Sequence, residues 1–226
     1  MKSIFYWFVL IFSIALIVSS CANDDSKTCC TSSTSSNDNS SSSSSVSGVF
    51  VAVGVTSNLS EGIIVRSTDN GSSFGNVTSH TSNMRQKVVF GNDTFVAVGN
   101  SGNIVRSTDN GSSWDNATSP TSKFLSGVTF GNDIFLGVGQ SGNIVRSTDN
   151  GLSWDNVTSP TANYLYGATF GNNTFVGVGI SGNIVRSSDN GSSWDNATSP
   201  TADHLMGVTF GNNTFVGVGI SGNIVR

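Results

Sequence analysis

Charge is scarce in this chain: only 11% of its 226 residues are Asp, Glu, Lys or Arg, and the formal net charge is −4. No run of basic residues forms a patch, which excludes nucleic acid as a partner. Glu61 is the only glutamate, and His80 and His204 are the only histidines, neither with metal-ligating neighbours in sequence. No metal and no cofactor are therefore expected. The cysteines, Cys21, Cys29 and Cys30, all precede Gly48, so what folds after that point is not a disulfide scaffold. Adjacent Cys29 and Cys30 make a poor internal clip. Proline is confined to Pro120, Pro160 and Pro200. No segment after residue 48 carries the 3.6-residue apolar period of a helix.

What is present divides the chain in three. Met1 and Lys2 give a positive start, Ile4 to Val18 are apolar except for Ser13, and Ser19, Ser20 and Cys21 follow. That order is a secretory signal, expected over residues 1–20. The apolar run is shorter than the roughly 20 residues a membrane span needs. Val18-Ser19-Ser20-Cys21 resembles the bacterial lipobox, which implies that Cys21 becomes the lipidated first residue and anchors the chain to a membrane. Ala22, rather than aspartate, follows it; in a Gram-negative host this implies an outer-membrane or surface lipoprotein. Residues 21–48 are dominated by Ser, Asn, Asp and Thr, with unbroken serine from Ser40 to Ser45. Such a stretch buries too little to offset its ordering entropy and reads as a flexible tether.

The remainder, 49–226, is a repeat. Ser-Gly-Asn-Ile-Val-Arg starts at Ser101, Ser141, Ser181 and Ser221, and a looser copy starts at Glu61, 40 residues apart each time. That period belongs to propeller blades. Within one period, Gly171-Asn172-Asn173, Ser181-Gly182 and Asp189-Asn190-Gly191 are hairpin signals. They join four strands, A to D, expected at Tyr166–Phe170, Thr174–Gly179, Asn183–Ser187 and Ser192–Thr198. Apolar residues on both faces of strands B and C suit sheets sandwiched between other sheets. The fold class is therefore all-β: a β-propeller of four-stranded antiparallel blades, with about five blades of which the first and last are partial. Blades are expected at 49–80, 81–120, 121–160, 161–200 and 201–226. Both partial blades contain B and C, so they do not add up to one, and the inventory favours a piece of a longer protein.

The C–D turn carries a family resemblance. Ser107-Thr108-Asp109-Asn110-Gly111-Ser112-Ser113-Trp114 resembles the Asp box, Ser-x-Asp-x-Gly-x-Thr-Trp. It recurs with Ser147, Asp149, Gly151 and Trp154, with Ser187, Asp189, Gly191 and Trp194, and with Ser67, Asp69, Gly71 and Phe74. The chain is thereby similar to the sialidase-like, or BNR, propellers, a group that includes sialidases, some endoglucanases, sortilin-type receptors and photosystem II assembly factors. In such a box the serine and aspartate fix the turn and the aromatic residue, opening strand D, packs between blades; the aspartates are turn-fixing rather than catalytic.

Sialidase chemistry, implied by that resemblance, needs three clustered arginines and a tyrosine assisted by a glutamate. Arg66, Arg106, Arg146, Arg186 and Arg226 instead hold one equivalent position per repeat. Their expected role is structural, pairing with Asp115, Asp155 and Asp195. No catalytic residue is assigned. The variable part of the repeat enters strand A: Arg85 in one copy, Lys123 and Phe124 in the next, then Tyr164 and Tyr166, then His204. These six positions are expected on one rim, as a surface for a protein or carbohydrate ligand. The reading is a binding or assembly module shown on the cell envelope. Two alternatives are a fragment of a sialidase-like glycoside hydrolase with its catalytic residues elsewhere, and a chaperone like the photosystem II assembly factors.

Overall fold

The structure, a computed structural model, describes residues 48–56, 61–78 and 85–226. The expected signal at 1–20, Cys21 with its lipid, the tether up to residue 47, Cys29, Cys30 and His80 lie outside the described residues.

Each 40-residue repeat folds into one antiparallel sheet. The first sheet holds β1 (Phe50–Val55), β2 (Gly62–Ser67) and β3 (Gly75–Val77). The second holds β4 (Arg85–Gly91), β5 (Thr94–Gly99), β6 (Ile104–Ser107) and β7 (Asp115–Asn116). The third holds β8 (Leu125–Gly131), β9 (Ile134–Gly139), β10 (Ile144–Ser147) and β11 (Asp155–Val157). The fourth holds β12 (Leu165–Gly171), β13 (Thr174–Gly179), β14 (Ile184–Ser187) and β15 (Asp195–Ala197). The fifth holds β16 (Leu205–Gly211), β17 (Thr214–Gly219) and β18 (Ile224–Val225). In every sheet the strands pair in chain order, so these are blades 1 to 5 of a β-propeller.

Local chemistry explains the order. Asn172 and Asn173 both take positive φ, 47° and 56°, closing a two-residue turn in which Gly171 pairs with Thr174. Asparagine tolerates that left-handed region, and the primed turn it makes matches strand twist. The B–C link is a short 3-10 turn in which Ser181 has φ 57°. Strand D is shorter than expected: it begins at Asp195, so Trp194 belongs to the turn before the strand rather than to its first position. Strand A runs longer, from Leu165, and has a bulge between Leu165 and Gly167 that leaves Tyr166 as the extra residue.

The core lies between blades, not inside them. One cluster joins Val96, Val98 and Ile104 of blade 2 to Leu125, Phe135, Val145 and Trp154 of blade 3. The next repeats it one blade on, with Leu136, Val138 and Ile144 against Leu165, Phe175, Val185 and Trp194. Burying such a tryptophan stabilises the stack by about 2–3 kcal/mol. The two outer faces show the converse. Phe74 of blade 1 is 44% exposed where Trp114 is 1% exposed, and Val218 of blade 5 is 48% exposed where Val178 is 1% exposed.

A steric slot sets the blade spacing. A Cβ on Gly131 would lie 2.1 Å from the Phe170 ring of the next blade, and one on Gly91 or Gly171 would lie 2.1 Å from Phe130 or Phe210. Around Gly211 nothing lies within 4 Å. The pair makes its own control. Gly131→Ala should destabilise the fold by about 1–3 kcal/mol through overpacking, whereas Gly211→Ala should stay within about 0.5 kcal/mol of the parent. Thermal and urea unfolding of both variants checks this, and equal losses would refute the slot.

Candidate functional site

The blades have two rims. One carries the A–B and C–D turns; the other carries the B–C turns and the connections that enter strand A.

On the first rim the serine–aspartate turns are closed networks. Ser107 Oγ donates to Asp109 Oδ1 at 2.7 Å and accepts from the Gly111 N–H at 2.9 Å. The Ser113 N–H and hydroxyl donate to the two carboxylate oxygens of Asp109 at 2.9 and 2.6 Å. Trp114 Nε1 donates to the Gly111 carbonyl at 3.2 Å, so the turn aims the indole at the neighbouring blade. Ser147, Asp149, Gly151 and Trp154 repeat the pattern, as do Ser187, Asp189, Gly191 and Trp194. In blade 1, Ser67, Asp69 and Gly71 make the same turn, with Phe74 in place of the indole. Hydroxyl and backbone donors hold these carboxyls well below the ordinary range. The Ser67 hydroxyl leads at Asp69 and the Ser113 hydroxyl at Asp109, and each sits at about 2. Asp189 is lowered further, first by the Ser193 hydroxyl. At Asp149 burial is the largest influence and acts upward, but the bonds from Ser153 and Ser147 together outweigh it. These carboxylates are saturated with donors from their own turns.

The arginines act across blades. Register sets Arg146 opposite Asp155 and Arg186 opposite Asp195. Yet Arg66 and Arg146 donate from Nε to the carbonyls of Asn110 and Asn190 in the following blade's turn, each at 2.6 Å. For Arg146 a bond between blades thus stands in place of the expected pairing with Asp155, and Arg66, which has Gly75 opposite it, makes the same bond. At the blade 2–3 junction Asn150 instead turns its amide to Thr94 Oγ1 at 2.6 Å, and Arg106 Nε is buried without a partner.

The second rim gathers four of the six expected binding residues. Phe124, Tyr164 and His204 end successive connections into strand A, and Tyr166 is the bulged residue of β12. Ring centroids are 6.2 Å apart for Phe124–Tyr164, 4.8 Å for Tyr164–Tyr166 and 6.5 Å for Tyr166–His204. The result is one half-buried aromatic strip over blades 3 to 5. Its backbone is fixed: the carbonyls of Phe124 and Tyr164 each accept from a B–C turn N–H, of Gln140 and Ile180, at 2.9 Å. His204 Nδ1 accepts from the Ser181 N–H at 3.0 Å. Thr121, Thr161 and Thr201 hydroxyls accept from the N–H of Lys123, Asn163 and Asp203, which tightens each connection. Burial pushes the Tyr164 phenol upward. Lys123 is exposed beside Phe124. Arg85 opens β4 on the same rim, and its side chain is outside the described residues. Sequence reasoning missed Lys87, two residues on; the signal was available, since Gly127, Gly167 and Gly207 hold that place in the other repeats. Among the described residues no three His, Cys, Asp or Glu side chains gather as a metal site.

Residues 72–206, more than half of the chain, match the DUF6242 beta propeller domain. The chain belongs to this family. Solved structures share the fold of this DUF6242 chain. YCF48 from Cyanidioschyzon merolae is 16% identical with a TM-score of 0.58, the match covering 77% of this chain and 65% of that one. A structure of YCF48 bound to D1 peptide is 17% identical with a TM-score of 0.56, covering 72% of this chain and 56% of that one. The computationally designed Ika4 protein is 11% identical with a TM-score of 0.55, covering 66% of this chain and 94% of that one. This DUF6242 chain thus spans between about half and two thirds of the YCF48 chains it resembles. No curated protein matches it.

The lowered carboxyls set an acid response. A carboxyl whose folded pKa lies below its unfolded value of about 3.9 stabilises the fold above pH ~4, and that contribution is lost as pH falls through about 2. The thermal midpoint, followed by tryptophan fluorescence, should therefore drop between pH ~4 and ~2, and Asp109→Asn should lower it at pH 7 and flatten the acid limb. An unchanged acid limb in the variant would contradict the role given to Asp109.

Proposed function

We propose that this chain is a non-catalytic holding module that binds an extended protein segment on its variable rim and is displayed on the cell envelope as a lipoprotein. The observation that carries the reading is the aromatic strip of Phe124, Tyr164, Tyr166 and His204, set on the one variable edge of an otherwise constant repeat. A constant scaffold with a variable, aromatic-bearing edge is how binding surfaces are built.

Protein is favoured over glycan on geometry. Neighbouring rings are tilted by 33–45° and touch one another, so they offer clefts and edges rather than the flat open face on which a sugar ring stacks. The likeness to a propeller solved with a D1 peptide bound supports the same choice and draws the reading toward an assembly chaperone. The turn networks fit the Asp-box resemblance, and we read the kinship with sialidases as one of architecture. The carboxylates that a hydrolase reading would call on recur one per blade on the opposite rim, where serine hydroxyls occupy them. Membrane attachment through Cys21 rests on the lipobox resemblance and the apolar run before it.

Peptide and glycan arrays probed with the full chain test this. Binding to peptides should weaken at least about tenfold in the Tyr164→Ala/Tyr166→Ser variant, with the thermal midpoint within a few degrees of the parent. Tyr166→Ser copies blade 3, where Ser126 holds the equivalent place. Binding to glycans alone, or peptide affinity unchanged in the variant, would overturn the reading.

A further inference from the structure

The innermost strands approach one another through glycine. A Cβ on Gly127 would lie 3.1 Å from the Cα of Gly167 in the next blade, and one on Gly167 would lie 3.6 Å from the Cα of Gly207. In register, Gly127 pairs with Val138, Gly167 with Val178 and Gly207 with Val218. Blade 2 breaks the series: Lys87 pairs with Val98 at the same place. A position that carries no side chain in three repeats thus carries one of the longest in the fourth.

That position faces the neighbouring innermost strand, as Gly127 faces Gly167 one blade on. Residues 87, 89 and 91 share a face of β4, and Gly91 on that face meets Phe130 of blade 3. Lys87 therefore leaves β4 on the face turned to β8, the strand that begins one residue after Phe124. Lys87 is half-buried, and no carboxylate among the described residues pairs with it. The aspartates of the A–B and C–D turns, such as Asp93, Asp109 and Asp133, stand on the other rim. Of the carboxylates on this rim, Asp203 in blade 5 accepts from Asn223 Nδ2 at 2.6 Å, and Glu61 lies in the B–C turn of blade 1. Desolvation lowers the amine's pKa, and a bound carboxylate would supply the opposite charge that favours the ammonium.

We propose that Lys87 is an anion-binding residue that takes a carboxylate of the peptide lying on the aromatic strip, at the Phe124 end. This rests on the protein-binding reading above and adds the charged group that the peptide must carry. A charge-assisted bond between ammonium and carboxylate, partly withdrawn from water, is stronger than one at an open surface. A tilted aromatic surface beside it selects carboxylates that bring an aryl or other flat apolar group.

The chain has four lysines, Lys2, Lys27, Lys87 and Lys123, so reductive ¹³C-dimethylation, which keeps the charge, gives a short and assignable set of methyl signals. Phenylacetate should shift the Lys87 signal saturably and about fivefold more tightly than acetate, while phenylacetamide, lacking the charge, should leave it in place. Lys87→Gly, which restores the residue of the other repeats and so preserves the fold, should abolish the site and weaken peptides found on the array. A Lys87 signal that no carboxylate moves, equal affinity for acetate and phenylacetate, or glucuronate binding as tightly as phenylacetate would each overturn the proposal. The two readings fail separately. Array peptides that need Tyr164 and Tyr166 but bind Lys87→Gly unchanged would sink the role of Lys87 and keep the rim. Phenylacetate at Lys87 with a blank peptide array would sink the protein-binding reading and, with it, the peptide assignment made here.

Discussion

No blade of this chain can hide its own apolar surface, and everything regular in the repeat follows from that. Strand B points Phe175 toward blade 3 and Val178 toward blade 5, so both faces of one thin sheet need a neighbour. Contact between blades is made at backbone distance on the inner side, where Gly131 receives Phe170, and by an indole toward the outside, where Trp154 reaches Val96 and Val98. The serine–aspartate turn has meaning only within this arrangement: it fixes the angle at which the tryptophan leaves its own sheet. Arg66 and Arg146 then tie one blade to the turn of the next. Stability in such a stack is close to a sum over neighbouring pairs, so the same few contacts must recur at each junction, and the sequence recurs with them.

That constraint also divides the labour between the rims. The turn rim spends its polar groups internally: asparagines in left-handed turns, serines and aspartates bonded to one another, and the Asn132 amide reaching Asn190 of the next blade. The other rim is likewise bonded in its backbone: the three connections that end at Phe124, Tyr164 and His204 are each tightened by a threonine hydroxyl and bonded to a B–C turn. Its side chains at the end of each connection, however, have no structural duty shared by all blades. Phe124, Tyr164 and His204 can differ at one position because the contacts that stack the sheets are made elsewhere.

Much of this was legible in the sequence because it is local and periodic. The 40-residue spacing, the asparagine turns and the apolar residues on both strand faces state the blade and its need for neighbours. What depends on a second blade was less legible. Nothing in Gly131 announces Phe170, 39 positions on, as the ring that requires it. The sequence suggests that the arginines pair with the aspartates after each tryptophan, whereas the guanidinium of Arg146, like that of Arg66, crosses to the next turn. Strand D was extended too far because the box residues alternate like a strand while they form a turn. The rim residues were found by comparing copies, which detects a departure from the repeat but not its geometry; Tyr166 touches Tyr164 only because a bulge displaces it. Lys87 is visible by the same comparison, since glycine holds its place at 127, 167 and 207, but a residue inside strand A reads as scaffold until the approach of the inner strands is known.

The distribution of charge bears on how a ligand would be chosen. The donor-saturated aspartates keep the turn rim negative down to low pH, while Lys87 and Lys123 stand toward the opposite rim. Long-range steering of an anion along the axis would need that polarity to be felt from one rim at the other. The seven residues of β8 separate the rims by about 23 Å at roughly 3.3 Å per residue, and the Debye length at physiological salt is about 8 Å. The field of one rim is therefore largely screened at the other. Discrimination has to come from contact, within reach of a half-buried ammonium and a strip of touching rings, and so it should persist at salt concentrations that abolish long-range attraction.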